Sequence, residues 1–143
     1  MQNAKVIDFF DGEWKYLSNF YGGPIIYNCL KYGTVEAAFQ AQKTLLKNVQ
    51  FEFTLMTAPQ AKRAGRKVLL RRDWNEVKDK IMEDLVRLKF QIPKYREVLL
   101  STGDAELVEG NWWKDTYWGV CAGIGHNKLG KILMKIRSEL RRS

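Results

Sequence analysis

Two segments in the second half of the chain repeat apolar residues every three or four positions. One follows Asp73 and the other follows Asn127. Residues at this spacing share one face of an α-helix, so both segments predict amphipathic helices. The apolar positions of the two helices are Trp74, Val77, Ile81, Leu85 and Leu88, and then Leu129, Ile132, Leu133, Ile136 and Leu140. Asp73 with Glu76 three residues later also predicts a capping box.

Shorter elements precede and separate these helices. Pro59, after Thr57, predicts a helix that ends near Gly65, and Pro93 predicts another that runs through Leu100. Two apolar runs around Asn28 and Cys29 predict a β-hairpin. The expected fold is mainly α, a single compact multihelical domain spanning 1–143 with a small N-terminal β-hairpin.

The segment TVEAAFQAQK predicts a further helix with Thr34 as its N-cap. If the helix continues to Leu46, apolar side chains share one face, and a polar stripe of Glu36, Gln40 and Lys43 lies away from it. Such a stripe is most often a solvated face. The alternative is a functional site with a carboxylate, an amide and an amine in line, where Glu36 and Lys43 are about 10 Å apart along the axis.

Composition limits the classes of protein that fit. The chain has 143 residues, which suits one domain with a sizeable core. Its formal net charge of +8 favours anionic partners, and five Trp make aromatic binding platforms plausible. Two cysteines and the absence of a long apolar run predict a cytoplasmic protein without a membrane span.

Histidine chemistry is nearly excluded, because His126 is the sole histidine. Zinc sites with several imidazoles are therefore ruled out, and a Ser-His-Asp triad is disfavoured. The run GHNKLGKI imitates a nucleotide-binding P-loop, but Ile132 stands where a magnesium-binding hydroxyl is needed. The sequence predicts neither a metal site nor a cofactor.

Residues 110–127, GNWWKDTYWGVCAGIGHN, have the composition of a binding loop. Asp115 lies between Trp113 and Trp118, where partial desolvation would suit it to proton transfer. Alternatively, the indoles fill gaps between helices and Asp115 occupies an exposed turn. The glycines before the last helix also suggest that backbone N–H groups and the helix start bind a phosphate, assisted by Lys128 and Lys131.

A basic cluster lies in residues 61–74, AKRAGRKVLLRRDW. It predicts either phosphate contacts or a solvated basic surface. Arg66, just after Gly65, is the candidate for a specific phosphate contact. Asn19 and Phe20, in the run YLSNFY, place an amide beside an aromatic ring.

Five blocks in this order resemble the YbiA-like family of N-glycosidases, also called NADAR proteins. The blocks are YLSNFYGGPI, TVEAAFQAQK, AKRAGRKVLLRRDW, LLSTGDAELVEGNWWKDTYWG and GIGHNKLGKILMKIR. The resemblance implies a mainly α fold and an enzyme that cleaves N-ribosyl bonds. Members of the family hydrolyse ribosylamino-pyrimidine phosphates of riboflavin synthesis, and some remove ADP-ribose from guanine bases.

The resemblance also implies the functional residues. It makes Glu36 and Asp115 catalytic, with Lys43 as a candidate covalent participant. It implies substrate contacts at Asn19 and Arg66 and functional roles for Trp74 and Trp113. We also expect substrate contacts at Phe20, Trp118 and Gly119. One departure is Ala37, because the family motif usually has His directly after the helix Glu. Ala37 therefore allows this chain to differ from the family in activity or substrate choice.

We expect the following mechanism for cleavage of an N-ribosyl bond. N-ribosyl cleavage builds positive charge on the anomeric carbon, so Glu36 would stabilise the cation or activate water, and Asp115 would be its counterpart. In a variant, Lys43 captures the ring-opened sugar as a Schiff base. The expected partner is a phosphorylated ribosyl or ADP-ribosyl substrate, with ADP-ribosylated nucleic acid as a further candidate. The competing hypothesis is a non-catalytic nucleic-acid-binding or nucleotide-binding module that uses the basic cluster and the Trp residues.

Overall fold

The computed structural model describes residues 5–143. These residues divide into two compact units. We call Asn19–Gln91 the central unit, and residues 5–18 with Ile92–Ser143 the terminal unit. The single domain predicted for 1–143 stays a prediction, and its residues 1–4 lie outside the described part of the chain.

The central unit begins with the predicted hairpin. Strands β2 (Ile25–Tyr27) and β3 (Leu30–Tyr32) are antiparallel, with Ile25 opposite Tyr32. Asn28 and Cys29 form the two-residue turn with φ of 49° and 70°. Positive φ at both positions matches the twist that a hairpin needs, so the prediction is confirmed.

Four helices complete the central unit: α1 (Val35–Ala41), α2 (Lys47–Phe53), α3 (Ala58–Gly65) and α4 (Trp74–Lys89). Thr34 caps α1 as predicted, because its hydroxyl accepts a hydrogen bond from the Ala37 N–H at 3.1 Å. Helix α1 packs against the other three helices and the hairpin, and all seven of its residues are buried.

Helix α1 is shorter than the sequence predicted. It ends at Ala41, where the N–H groups of Lys43 and Thr44 bond to carbonyls only three residues back. The carbonyl of Lys43 then accepts from the Arg71 N–H at 2.8 Å. Leu46 is 54% exposed and precedes α2, so its predicted place on an apolar helix face is wrong, and α2 was missed.

The predicted capping box of α4 is also wrong. Asp73 occupies the N-cap position, but its side chain makes no capping hydrogen bond. Its carboxylate instead pairs with Arg71 at 2.6 Å. On the apolar face, Ile81 and Leu85 are buried as predicted, whereas Leu88 is 41% exposed.

The terminal unit contains a 3-10 helix (Gly12–Leu17), α5 (Pro93–Ser101) and α6 (Lys128–Arg142). Two short parallel strand pairs accompany them. They are β1 (Val6–Ile7) with β4 (Glu106–Leu107), and β5 (Gly110–Asn111) with β6 (Val120–Cys121). Helix α5 packs against the 3-10 helix and α6.

The apolar face of α6 is confirmed, with Leu129, Leu133, Ile136 and Leu140 buried. Arg137 is buried as well, and it donates to the Thr102 hydroxyl at 2.8 Å. The mainly α fold is therefore confirmed. Within residues 5–143, no helix combines the length and the apolar character that crossing a bilayer requires.

Candidate functional site

Glu36 lies in the first turn of α1. Its backbone N–H donates to the Asn19 carbonyl at 3.1 Å, and its carboxylate Oε1 accepts from Gln40 Nε2 at 3.0 Å. Glu36 is only 8% exposed and Gln40 only 7%. A solvated polar face is therefore wrong for these two residues.

Lys43 lies two residues beyond the end of α1, and its side chain is partly buried. Burial is the main cause that lowers the pKa of its amine. The Glu36 carboxylate opposes this by raising the Lys43 pKa, while Arg66 and Lys78 lower it further. A larger fraction of Lys43 is therefore neutral near pH 7 than for an exposed lysine, and the neutral amine is the nucleophilic form.

The sequence-based distance between Glu36 and Lys43 assumed one continuous helix. Helix α1 ends at Ala41 and a turn follows, so the distance calculated for a continuous helix does not apply. The pKa of Lys43 nevertheless responds to Glu36, which places the two charges within electrostatic reach.

Arg66 is the C-cap residue of α3, and its side chain is exposed. Its charge also acts on Lys43. Three predicted site residues, Glu36, Lys43 and Arg66, thus form one electrostatically coupled group in the central unit.

Asn19 supports this group from the N-terminal side. It is 8% exposed, and its amide Nδ2 lies 3.4 Å from the Met82 sulfur. Phe20 is partly buried, with the Lys62 Nζ 5.7 Å from its ring centroid. Asn19 also fixes the first turn of α1, because its carbonyl accepts the hydrogen bond from the Glu36 N–H.

Trp74 begins α4 and is 7% exposed. Its ring centroid lies 5.0 Å from that of Phe39, with the planes tilted by 52°. The indole thus packs α4 against α1. Its role in stacking on a substrate stays a prediction.

Asp115 lies in the terminal unit and organises the loop that contains it. Its Oδ1 accepts hydrogen bonds from the backbone N–H groups of Tyr117 at 3.1 Å and Trp118 at 3.0 Å. Asn111 closes the same loop, because its side chain bonds to both the N–H and the carbonyl of Asp115. The second oxygen, Oδ2, accepts no hydrogen bond from residues 5–143.

The aromatic rings of this loop are largely at the surface. Trp113 is 46% exposed and meets Trp112, which is 81% exposed, edge to face at 5.4 Å. Trp118 is partly buried and meets Tyr117 at 4.8 Å. The gap-filling interpretation is therefore wrong for Trp112 and Trp113.

Gly119 is buried, and an added Cβ would collide with the Glu109 carbonyl. A close backbone approach is therefore sufficient to require glycine here. The functional role predicted for Gly119 stays a prediction.

The predicted phosphate site at the start of α6 is wrong. The N–H groups of Asn127, Lys128 and Leu129 donate to the carbonyls of Gly119, Tyr117 and Trp118. The side chain of Lys128 lies over the Tyr117 ring, with its Nζ 4.6 Å from the centroid. These backbone donors are therefore unavailable to an anion.

The ten predicted site residues fall into two groups. The central unit contains Asn19, Phe20, Glu36, Lys43, Arg66 and Trp74, and the terminal unit contains Trp113, Asp115, Trp118 and Gly119. Sequence reasoning noted Gln40 in the polar stripe but did not include it among the site residues. The signal was its spacing, four residues after Glu36, which allows a hydrogen bond along a helix.

A hollow of about 340 Å³ lies elsewhere in the central unit. Its walls are mainly apolar and include Leu46, Val49, Phe53 and Leu69. None of the predicted site residues lines it, so the coupled group around Glu36 remains the better candidate.

The NADAR domain model matches residues 9–141. The N-glycosidase YbiA of Escherichia coli is 37% identical over 142 residues, covering 94% of this chain and 88% of that protein. The N-glycosidase Npun_R5314 of Nostoc punctiforme is 42% identical over 118 residues, covering 77% and 75%. The riboflavin biosynthesis protein VVA0006 of Vibrio vulnificus is 35% identical, covering 91% of this chain and 36% of that protein.

A solved structure is similar throughout. The NMR structure of E. coli YbiA matches with a TM-score of 0.86 at 35% identity. The match covers 99% of this chain and 88% of that one. Fold and sequence therefore agree on the same relatives.

Proposed function

The chain belongs to the NADAR domain family, and we propose that it is an N-glycosidase, a hydrolase that cleaves the bond between a ribosyl carbon and a nitrogen. The relatives from E. coli and Nostoc punctiforme are both named N-glycosidases. The observation that carries the proposal is a buried Glu36 carboxylate whose charge acts on the pKa of the partly buried Lys43 amine.

Glu36 has the chemistry that the transition state needs. Breaking the N-ribosyl bond leaves positive charge on the anomeric carbon, and a fixed carboxylate stabilises that charge strongly where water is excluded. The same carboxylate can take a proton from the attacking water. Glu36 is held for this role by Asn19 at its backbone and by Gln40 at its carboxylate.

Lys43 offers a covalent route. The N-ribosylamine opens to an imine, and the neutral amine of Lys43 adds to the anomeric carbon. The original nitrogen gains a proton and leaves as the free amine, so the sugar remains on Lys43 as a protonated Schiff base. Water then adds to the same carbon, and the adduct releases the sugar and restores the amine. The net reaction consumes one water.

The remaining predicted residues take supporting roles. Arg66 is exposed and is proposed to bind a substrate phosphate, because a guanidinium can make two parallel hydrogen bonds to one phosphate. The exposed Trp113 is proposed to stack on the heterocycle. Asp115 is proposed to present its Oδ2 to the substrate, since its Oδ1 is held by two backbone donors.

We propose phosphorylated ribosylamino-pyrimidines as the first substrate class, because two relatives are named riboflavin biosynthesis proteins. ADP-ribosylated guanine is the second candidate. It is favoured by the exposed basic side chains of Arg63, Lys67 and Arg72, which suit a substrate carried on a nucleic acid. We place the reaction in the cytoplasm.

The test is to incubate the purified protein with each substrate class and to resolve the products by liquid chromatography and mass spectrometry. We expect release of ribose phosphate or ADP-ribose together with the free base. Glu36→Gln should reduce kcat/KM by about 10³-fold, in line with loss of a carboxylate at a developing charge. Glu52→Gln, at an exposed position of α2, is the matched control and should retain activity.

No product from either substrate class would overturn the proposed function, and full activity in Glu36→Gln would remove Glu36 from it. If the protein binds nucleic acid with a strong salt dependence and releases no product, the non-catalytic alternative is the correct one.

A further inference from the structure

Gln40 has an unusual environment for a buried amide. Its Nε2 donates to Glu36 at 3.0 Å, yet within residues 5–143 its Oε1 is buried and has no hydrogen-bond partner. An unpaired buried acceptor costs folding free energy, so its position needs an explanation.

Gly65, the last residue of α3, supplies the explanation. A Cβ at position 65 would collide with Oε1 of Gln40 and would lie 2.7 Å from its Cδ. The amide of Gln40 is therefore packed directly against the backbone of Gly65. No larger residue leaves room for the amide in this orientation.

The orientation of the Gln40 amide determines which of its atoms faces the Glu36 carboxylate. With Oε1 against Gly65, the NH₂ group must face the carboxylate, and a donor at this distance stabilises the ionised form. The reversed amide would place two acceptors against each other. The Glu36 carboxylate therefore determines which end of the amide faces it, and Gly65 leaves the space that the other end occupies.

We propose that Gln40 is a positioning residue that keeps Glu36 ionised and correctly oriented, and that Gly65 provides the space that the Gln40 amide needs in this position. The inference rests on the proposed function for its catalytic meaning. Its physical content, the stabilisation of the Glu36 carboxylate, can be measured without any substrate.

Other charged groups near α1 act alongside Gln40 and are unchanged by the test. Lys43 follows α1, Arg66 is the C-cap residue of α3 and Lys78 lies on α4. The charges of Arg66 and Lys78 both act on Lys43. On the remaining neighbours of α1, Lys47 and Glu52 of α2 and Lys31 of β3 are exposed. Tyr27 of β2 is coupled to Asp84, Lys80 and Arg71.

The test compares Gln40→Met and Gly65→Ala with two matched controls. Gln50→Met removes another buried glutamine of the central unit that also has an unpaired Oε1 and whose Nε2 donates to the Thr44 carbonyl. Gly33→Ala adds a Cβ where the structure has open space. Thermal melting checks that each variant folds.

The substrate-free readout is the ¹³C NMR titration of the Glu36 carboxyl, assigned by its loss in Glu36→Gln. We expect Gln40→Met and Gly65→Ala to move the midpoint upward by about one pH unit, as expected for the loss of one charge-assisted hydrogen bond. The controls should leave it unchanged. In the Gln40→Ala background, Gly65→Ala should lose most of its effect, because the Oε1 and Cδ atoms that its Cβ would collide with are gone and only the Cβ of residue 40, at 3.2 Å, remains.

The activity readout is the acid limb of the kcat/KM profile, which should move upward with the NMR midpoint. An unchanged midpoint in Gln40→Met, or an equal shift in Gln50→Met, would overturn the inference. If no variant or wild-type protein turns over a substrate, the proposed function fails, and the NMR titration still decides the role of Gln40.

Discussion

The cluster around Glu36 and the loop around Asp115 use polar side chains in opposite ways. In the central unit, Glu36 and Gln40 are buried, and Gln40 keeps an unpaired acceptor. In the terminal unit, Asn111 and Asp115 use their side chains to hold the backbone of their own loop. The loop instead exposes apolar rings, of which Trp112 is the most exposed.

This difference separates polar side chains whose presence is explained by folding from those whose presence is not. Side chains that satisfy a loop backbone stabilise the fold, so the hydrogen bonds of Asp115 account for its presence without any substrate. A buried carboxylate and a desolvated amine destabilise the fold, so they call for a function. The comparison therefore predicts that chemistry depends most on the α1 region and that the loop mainly provides contact surface.

The largest effect is expected at Lys43. Lys43→Arg keeps the positive charge but removes the nucleophile, so kcat/KM should fall by about 10²- to 10⁴-fold. Borohydride added during turnover should trap a sugar adduct on wild-type Lys43, detected by peptide mass spectrometry. Lys47→Arg, at an exposed position on α2, should retain both activity and trapping. Absence of an adduct on the wild-type protein would favour direct attack by water.

Substitutions of Asp115 test the role of the loop in the terminal unit. Asp115→Asn keeps an oxygen that can accept from the Tyr117 and Trp118 N–H groups, whereas Asp115→Ala loses it. We expect Asn to preserve the melting temperature and to lower kcat/KM by about 10- to 100-fold through loss of charge. Ala should lower both. Wild-type activity in Asp115→Asn would make Asp115 a residue of loop structure alone.

Lys89 of the central unit tests how burial of an amine changes the free energy of unfolding with pH. Burial lowers its pKa to about 7, and its Nζ donates to the Tyr21 carbonyl at 2.7 Å. Since the native pKa lies below the unfolded value, the native state binds fewer protons above pH 7. The free energy of unfolding should therefore rise between pH 7 and about pH 10, by at most about 1.4 kcal/mol per pH unit, and this gain is lost as the pH falls.

Urea denaturation at pH 7 and pH 9.5 measures this dependence. Lys89→Met should flatten it, because the titrating amine is gone. Lys31→Met, at an exposed position of β3, should leave the slope unchanged. A wild-type slope of zero would show that Lys89 has an ordinary pKa.

Arg66 should have a smaller, pH-dependent effect. Its charge lowers the pKa of Lys43, so Arg66→Gln should raise that pKa and reduce the neutral fraction of the amine near pH 7. We expect a loss of about threefold to tenfold in kcat/KM at pH 7, with partial recovery at higher pH. A loss that is uniform across pH would assign Arg66 to phosphate binding only.

The smallest effect is expected at Trp112. Its ring is 81% exposed and contacts Trp113 edge to face, so Trp112→Ala should change KM by about twofold or less. Trp113→Ala should raise KM more. Equal effects of the two substitutions on KM would mean that the pair acts as one surface.

Local signals in the sequence predicted several elements correctly. Thr34 is the N-cap of α1, Pro93 opens α5, and the hairpin turns at Asn28 and Cys29. Each of these depends on neighbouring residues, so the printed sequence contains the necessary information. The same holds for the buried face of α6.

Contacts that spacing along a single helix does not describe explain what the sequence missed. Arg71 pairs with Asp73 and removes the expected capping box, and its N–H binds the carbonyl of Lys43 just beyond α1. The packing of Gln40 against Gly65 joins residues 25 positions apart, so spacing along one helix cannot reveal it. The phosphate site expected at α6 failed because carbonyls of the preceding loop occupy its first N–H groups.

The seven-residue length of α1 has a consequence for how activity is acquired during folding. Isolated helices of this length are scarcely populated in water, so α1 persists only when its neighbours enclose it. A refolding chain should therefore regain far-ultraviolet circular dichroism from its longer helices before it regains turnover. Catalytic competence would then report the completion of tertiary packing in the central unit rather than the formation of helices.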